Sequence, residues 1–423
     1  MRGDGGVNAG SSRILILCGD LSAAGGAERL VFEEAEGLRS MGYDVIIATY
    51  RIADSVRFSG RYQDRVEVLS VPTNGRVARL FRAAAHLTRL LRWWRPNLVI
   101  AMSSNDCVHL MIPSLLTRTV FVTHINGTQF WFPPEQDMTK YAWVYRHIRA
   151  RILTSTPGHR EFVKGTVALG LAGRARIELT ARLHRAAVRR AQERITFSRM
   201  MASEVELIYG RSALALKGAF PERILTYEPQ TDPCSPFRSR GLRTVLNINR
   251  LEPRKRVDLA IRAFELVHRD RPDSVMLIGG VGPSATQLES LVDQLGLEES
   301  VVFLGFVDEN ELWDWMATCD VFIHPNWADF AIAPFEALGL GTNVVWSTEM
   351  EMDPELTRCS TLHPASPDRA SMASAIHEAF DTNRAAPEER LQLRAYTWEG
   401  YFSQLGSVVS RWASQPDMVP SAD

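Results

Sequence analysis

The chain has 423 residues, 45% of them hydrophobic and 23% charged, with a formal net charge of −1. That length points to more than one domain, and that composition excludes a disordered chain, a collagen-like chain and a coiled-coil rod. The near-zero charge argues against a nucleic-acid binder, but it is unevenly divided: residues 1–240 carry a net +13 and residues 241–423 a net −14. Such a split reads either as drift in surface composition or as two domains with different partners, the first meeting something anionic such as a membrane surface or a lipid-linked phosphate. Five cysteines without a CxxC pair (Cys18, Cys107, Cys234, Cys319 and Cys359) speak against a disulfide framework and a cysteine zinc site. A reducing, cytoplasmic setting is expected, peripheral on the membrane face if the basic half docks there. The opening MRGDGGVNAGSS lacks the apolar core of a signal peptide, and no 18-residue apolar run predicts a membrane span.

Residues 1–12 read as a polar tail. The run from Arg13 to Cys18 has the continuous apolar character of a strand covered on both faces. Gly25 and Gly26 follow, then a helical pattern from Ala27 to Leu38 that Gly42 stops, then a strand at Val45–Ala48. Strand, loop, helix, strand is the unit of a parallel sheet. The alternation predicts strands at Val66–Val71, Leu98–Met102, Val120–Thr123 and Ile195–Phe197. Helices are expected at Val77–Trp94, Cys107–Leu116 and Met200–Ile208, with a long helical insert over 136–193. Ile224–Tyr227 closes the first half, and the Pro- and Ser-rich residues 229–241 suit a linker. A second series follows, with strands at Thr244–Ile248, Val275–Ile278, Val301–Leu304, Val321–Ile323 and Val344–Val345. Its helices are Val257–Val267, Ala285–Leu295, Glu309–Met316, Pro334–Leu340 and Arg369–Phe380. The expected fold class is α/β, two doubly wound Rossmann-like domains over 13–235 and 236–397. A final segment, 398–423, forms a helix and tail. Such sheets bind ligands beyond the carboxyl ends of their strands, here in a deep cleft between the domains.

Three segments carry residues suited to chemistry. Gly25-Gly26 opens a helix, where free backbone N–H groups attract anions; the pair also suits a simple strand-to-helix turn. Arg250 and Lys255 bracket a proline turn just after a strand, where two cations suit a diphosphate. The same pair would also fit a solvated basic loop. The small-residue loop running into Ala331, Ile332 and Ala333 lets backbone amides approach a ligand. Glu336, next on that helix, either accepts bonds from vicinal hydroxyls or favours the helix N-terminus. His124 ends a strand, and Ser198 precedes a helix as an N-cap would. Arginines and apolar residues alternate at helical spacing over 76–95, which fits an interfacial helix but slightly better a core-facing one.

Taken in order, several stretches resemble the retaining nucleotide-sugar glycosyltransferases of the GT-B fold, family four. They are GGAERLVFEEAEGLRSMGYDV at 25–45, VLNINRLEPRKRVDLAIRAF at 245–264, GGVGP at 279–283, VVFLGFVDENELWDWMATCDVFIHP at 301–325 and DFAIAPFEALGLGTNVVWS at 329–347. The resemblance implies that Arg250 and Lys255 bind the donor diphosphate and act catalytically with His124 near the transferred sugar. It implies donor contacts from Glu336, Asp329, Ala331, Ile332, Ala333, Gly25, Gly26 and Val307, and acceptor-side contacts from Glu349 and Trp131. The final helix is expected to cross back to the first domain. Family members carry a second glutamate where this chain has Ala328, and the glycine pair before Pro354-Glu355 is absent. With no Asp-x-Asp motif, no metal and no cofactor are expected. The implied reaction is transfer of a mannose-, glucose- or N-acetylglucosamine-type residue with retention. The implied substrates are a GDP- or UDP-linked sugar and a glycan or lipid-linked acceptor. The competing expectations are a non-catalytic scaffold and a sugar-nucleotide epimerase of the same fold.

Overall fold

The structure, a computed structural model, describes residues 12–21, 26–52, 66–69, 76–126, 171–326, 331–348, 350 and 355–413. The described residues fall into two compact units. The first takes in the described residues up to Leu216 and those from Phe402 onward, the second Lys217–Tyr401.

In the first unit, seven parallel strands are ordered β3-β2-β1-β4-β5-β6-β7 among the described residues. They are β1 (Arg13–Leu17), β2 (Asp44–Thr49), β3 (Val66–Val68), β4 (Leu98–Ala101), β5 (Phe121–His124), β6 (Arg194–Thr196) and β7 (Leu214–Ala215). The helices are α1 (Gly26–Ser40), α2 (Arg76–Trp94), α3 (Ser104–Thr117), α4 (Leu171–Arg190) and α5 (Arg199–Tyr209). Ile14 to Leu17 are fully buried because β1 lies between β2 and β4, with Ile14 opposite Val45 and Leu98. That explains why the strand reads as an unbroken apolar run rather than an alternating one. Ser103 caps α3 by accepting from the Asp106 N–H, and Ser198 caps α5 through Met201. β3 stops at Val68, three residues short of the expected Val71. Of the expected insert over 136–193, residues 136–170 lie outside the described residues, and the remainder contains α4.

The second unit has six parallel strands ordered β10-β9-β8-β11-β12-β13. They are β8 (Arg243–Ile248), β9 (Ser274–Gly279), β10 (Val301–Gly305), β11 (Val321–His324), β12 (Asn343–Ser347) and β13 (Leu362–Ala365). Its main helices are α6 (Val257–Asp270), α7 (Ala285–Leu295), α8 (Glu309–Thr318), α9 (Ile332–Gly339) and α10 (Arg369–Asp381). A last helix, α11 (Trp398–Ala413), begins in this unit, and its residues from Phe402 group with the first. Asp320 sets the pairing of β8 with β11: its carboxylate accepts from the Thr244 N–H and hydroxyl, both at 2.8 Å. β13 was not legible in the sequence because Pro364 interrupts it. An edge strand tolerates proline, since its outer side needs no ladder bond.

Ile224–Tyr227, expected to close the first half, instead belongs to the second unit: it falls on a 3-10 turn, Glu222–Thr226, capped by Tyr227, with Ile224 and Leu225 in that unit's apolar core. The supposed linker is anchored too. Buried Asp314 accepts from the Tyr227 hydroxyl, the Gln230 N–H and both the N–H and hydroxyl of Thr231, at 2.7–2.9 Å. Burial alone would raise its pKa; these donors outweigh burial and hold the carboxyl below its usual value.

Candidate functional site

Doubly wound sheets open a crevice where the strand order reverses, at the carboxyl ends of the two strands that flank the reversal. In the second unit those strands are β8 and β11. Four polar side chains meet there. Asn247 donates to the Ile323 carbonyl at 2.8 Å, and Asn249 donates to Asn247 Oδ1 at 3.2 Å. Asn249 Nδ2 also lies 3.5 Å from His324 Nδ1. His324 is 1% exposed, and its Nε2 has no hydrogen-bond partner among the described residues; the same holds for Nδ2 of buried Asn326. Buried polar atoms left open at a crevice are the signature of a ligand or water position. Burial first, then the Lys255 ammonium, push the His324 pKa well below 6.5, so the ring is neutral at pH 7.

Lys255, whose charge acts on the His324 ring, ends the 3-10 turn Pro253–Lys255 that follows β8. Arg250 is differently held: its guanidinium donates to Glu252 at 3.0 Å and is about half exposed. Its loop lies backbone to backbone on the loop after β9. Asn249 N–H bonds Gly279, Leu251 N–H bonds Val281, and Ser284 N–H bonds Leu251, each at 3.0 Å. A Cβ on Gly280 would lie 1.8 Å from the Asn249 carbonyl oxygen, and φ there is +128°. One on Gly282 would lie 2.3 Å from the Leu251 oxygen. The glycines of this turn therefore set the height of the Arg250 loop. Val307 reaches over the end of β9, where a side chain on Gly279 would meet it.

The N-terminus of α9 faces the same edge. Ala331 is its N-cap in extended conformation and supplies no side-chain bond, so the amides of Ile332 and Ala333 have no capping side chain. Glu336 is buried one turn further on, and the Trp313 indole N–H donates to it at 3.2 Å. Two exposed apolar residues border this edge, Phe306 after β10 and Val281 after β9. Sequence reasoning named Arg250, Lys255, Glu336, Val307 and the α9 amides. It missed His324, Asn326 and Phe306, since nothing in their spacing signals them.

In the first unit the reversal falls between β1 and β4. There the Gly19 N–H and the Ser103 hydroxyl donate to Asp106, at 2.9 and 2.6 Å. Burial pushes this carboxyl up to about 7, against those two bonds. His124, at the end of β5, is fully buried, with Nδ1 2.5 Å from Glu34 Oε1 on α1 and its ring against Phe197. A carboxylate on one ring nitrogen fixes orientation and tautomer; Glu34 was not singled out in the sequence. Gly26 opens α1. Gly25, Trp131, Asp329 and Glu349 lie outside the described residues, as does Ala328. Among the described residues no group of three or more His, Cys, Asp or Glu is arranged to hold a metal ion.

Two doubly wound parallel units, each with its polar cluster at the carboxyl edge, define the GT-B class. Solved structures share this fold. Anabaena Alr3699/HepE in complex with UDP superposes with a TM-score of 0.70 at 17% identity, over 94% of this chain and 100% of that one. A putative UDP-N-acetylglucosamine 2-epimerase from Listeria monocytogenes gives 0.60 at 11% identity, over 97% of this chain and 100% of that one. The family Glycosyltransferase Family 4 matches residues 24–215, and Glycosyl transferases group 1 matches residues 235–397. Between them the two matches take in most of the chain, which belongs to the family-four glycosyltransferases of GT-B type. The phosphatidylinositol N-acetylglucosaminyltransferase gpi3 subunit of Schizosaccharomyces pombe is 26% identical over 157 residues, 37% of this chain and 34% of that relative. The GDP-mannose-dependent alpha-(1-6)-phosphatidylinositol monomannoside mannosyltransferase of Mycolicibacterium smegmatis is 36% identical over 96 residues, 23% of this chain and 25% of that relative. The alignments thus span well under half the length of these curated relatives.

Proposed function

We propose that the chain transfers a hexosyl residue from a nucleoside-diphosphate sugar to a glycan or lipid-linked acceptor, with retention of configuration and without a metal ion. The observation that carries this reading is the cluster at the β8/β11 crevice. Lys255, the Arg250 loop and the uncapped amides of α9 offer positive charge to a diphosphate, while buried Glu336 offers an acceptor for hydroxyls. Phe306 gives a base an apolar surface at the same edge. In retaining transfer of this kind the leaving diphosphate takes the acceptor proton on the face it departs from. The protein then has to orient two substrates and stabilise leaving-group charge, which this cluster suits. The names of the relatives favour GDP-mannose or an N-acetylglucosamine donor, with a phosphatidylinositol-type acceptor.

Thermal stabilisation by GDP, UDP and ADP, in EDTA, tests the donor half. One nucleotide at a hundred times its dissociation constant is expected to add about 2.7 kcal/mol. Arg250→Ala with Lys255→Ala is expected to abolish that shift without lowering the melting temperature of the free protein. Stabilisation that EDTA removes and manganese restores refutes metal independence, and no shift with any nucleotide refutes the donor site. The anomeric configuration of the product, read by NMR, decides retention.

A further inference from the structure

Helices α2, α3 and α4 pack side by side on the first sheet. Each ends a few residues before a strand begins: α2 before β4, α3 before β5 and α4 before β6. Their carboxyl-terminal ends therefore share the sheet edge where the strands start. Four large apolar side chains stand exposed on these ends: Trp93 at 69%, Ile112 at 45%, Leu115 at 55% and Leu116 at 58%. Ile112, Leu115 and Leu116 follow the i, i+3, i+4 spacing of one helix face. Around them Arg89, Arg92, Arg95, Arg118, Arg185 and Arg190 are all exposed. Along the whole of the three helices the sequence holds just two acids, Asp106, buried in the first turn of α3, and Glu178, three turns before the end of α4. Favourable dipole contacts explain arginines at helix ends. They do not explain a tryptophan and three aliphatic side chains left in water beside them.

We propose that this edge of the first unit docks on an anionic bilayer surface. Trp93 and the α3 stripe enter the headgroup boundary, and the arginines meet lipid phosphates. No described helix is long and apolar enough to cross a membrane. A second copy of the chain fits this surface poorly, because a two-fold pairing would set the same arginines against each other, and Glu193, the acid between α4 and β6, is already paired with Arg194 and Arg411. The proposal goes beyond the transferase reading and holds whether or not the chain transfers sugar.

Flotation of the full-length protein tests it, with vesicles of phosphatidylcholine and phosphatidylglycerol against phosphatidylcholine alone. The protein is expected to float with the anionic vesicles at low salt, less at high salt, and not with phosphatidylcholine alone. Arg89→Gln with Arg92→Gln is expected to weaken partitioning by about fivefold per arginine. Leu115→Gln with Leu116→Gln is expected to weaken it at unchanged charge. These positions are exposed, so circular dichroism melts are expected to match the parent, and Arg262→Gln in the second unit serves as the charge control. Absence of flotation at low salt overturns the proposal, as does equal flotation of all three variants. A dimer in sedimentation that the leucine variant dissolves, without vesicle binding, overturns it in favour of self-association.

Discussion

His324 shows how much one buried ring can decide at the residue scale. Its folded pKa lies well below 6.5, first through burial and then through the neighbouring Lys255. The unfolded chain therefore binds a proton that the folded chain refuses. Stability from this site is complete above the unfolded value and is lost as pH falls below about 6.5. The loss approaches about 1.4 kcal/mol per pH unit while the folded ring stays neutral. His324→Gln is expected to flatten that acid limb in denaturant titrations run from pH 7 to pH 5. An unchanged slope places the acid sensitivity elsewhere. Arg250, Lys255 and Glu336 were legible because their spacing brackets a turn or opens a helix. His324 was not, because its neighbour Asn249 is 75 positions away and only the strand order joins them. Burial of a polar group leaves no periodic trace in a sequence.

At the element scale, the glycines after β9 set the geometry of the Arg250 loop. Gly280 takes a positive φ and leaves no room for a side chain against the Asn249 carbonyl. Gly280→Ala is expected to destabilise the protein by about 3 kcal/mol or more, since strain and a backbone clash add. It is also expected to lower nucleotide affinity in whatever fraction stays folded, by lifting the Arg250 loop. Chemical denaturation and nucleotide titration of the variant check both effects; parent-like values for both show that the two loops are not coupled. The strands of this unit were read from their apolar runs, and the GGVGP turn from the family resemblance. What composition does not say is which backbone the glycines touch. β13 escaped notice for a related reason: its proline is compatible with a strand only at an edge, and edge status is a property of the finished sheet.

At the scale of the whole molecule, α11 ties the end of the chain to its beginning. From Phe402 onward its residues group with the first unit, although the helix starts in the second. The contact explains a glycine in the middle of α1. A Cβ on Gly37 would lie 2.3 Å from the Phe402 ring, so the ring sits where a side chain would otherwise stand. Further along, a Cβ on Gly406 would lie 3.0 Å from the Met41 sulfur. A helix interior gives up about 1 kcal/mol by using glycine in place of alanine, and the close approach of the aromatic ring offsets it. Phe402→Ala removes a half-buried ring packed on α1 and is expected to cost about 1–2 kcal/mol. Because the contact belongs to the first unit, the loss is expected to fall there. Hydrogen exchange is expected to speed up in α1 and β1, while β8 to β12 keep their protection. Faster exchange confined to the second sheet contradicts the assignment of the helix end to the first unit. Uniform acceleration in both sheets instead means that the two units unfold as one cooperative body, with α11 as the shared element.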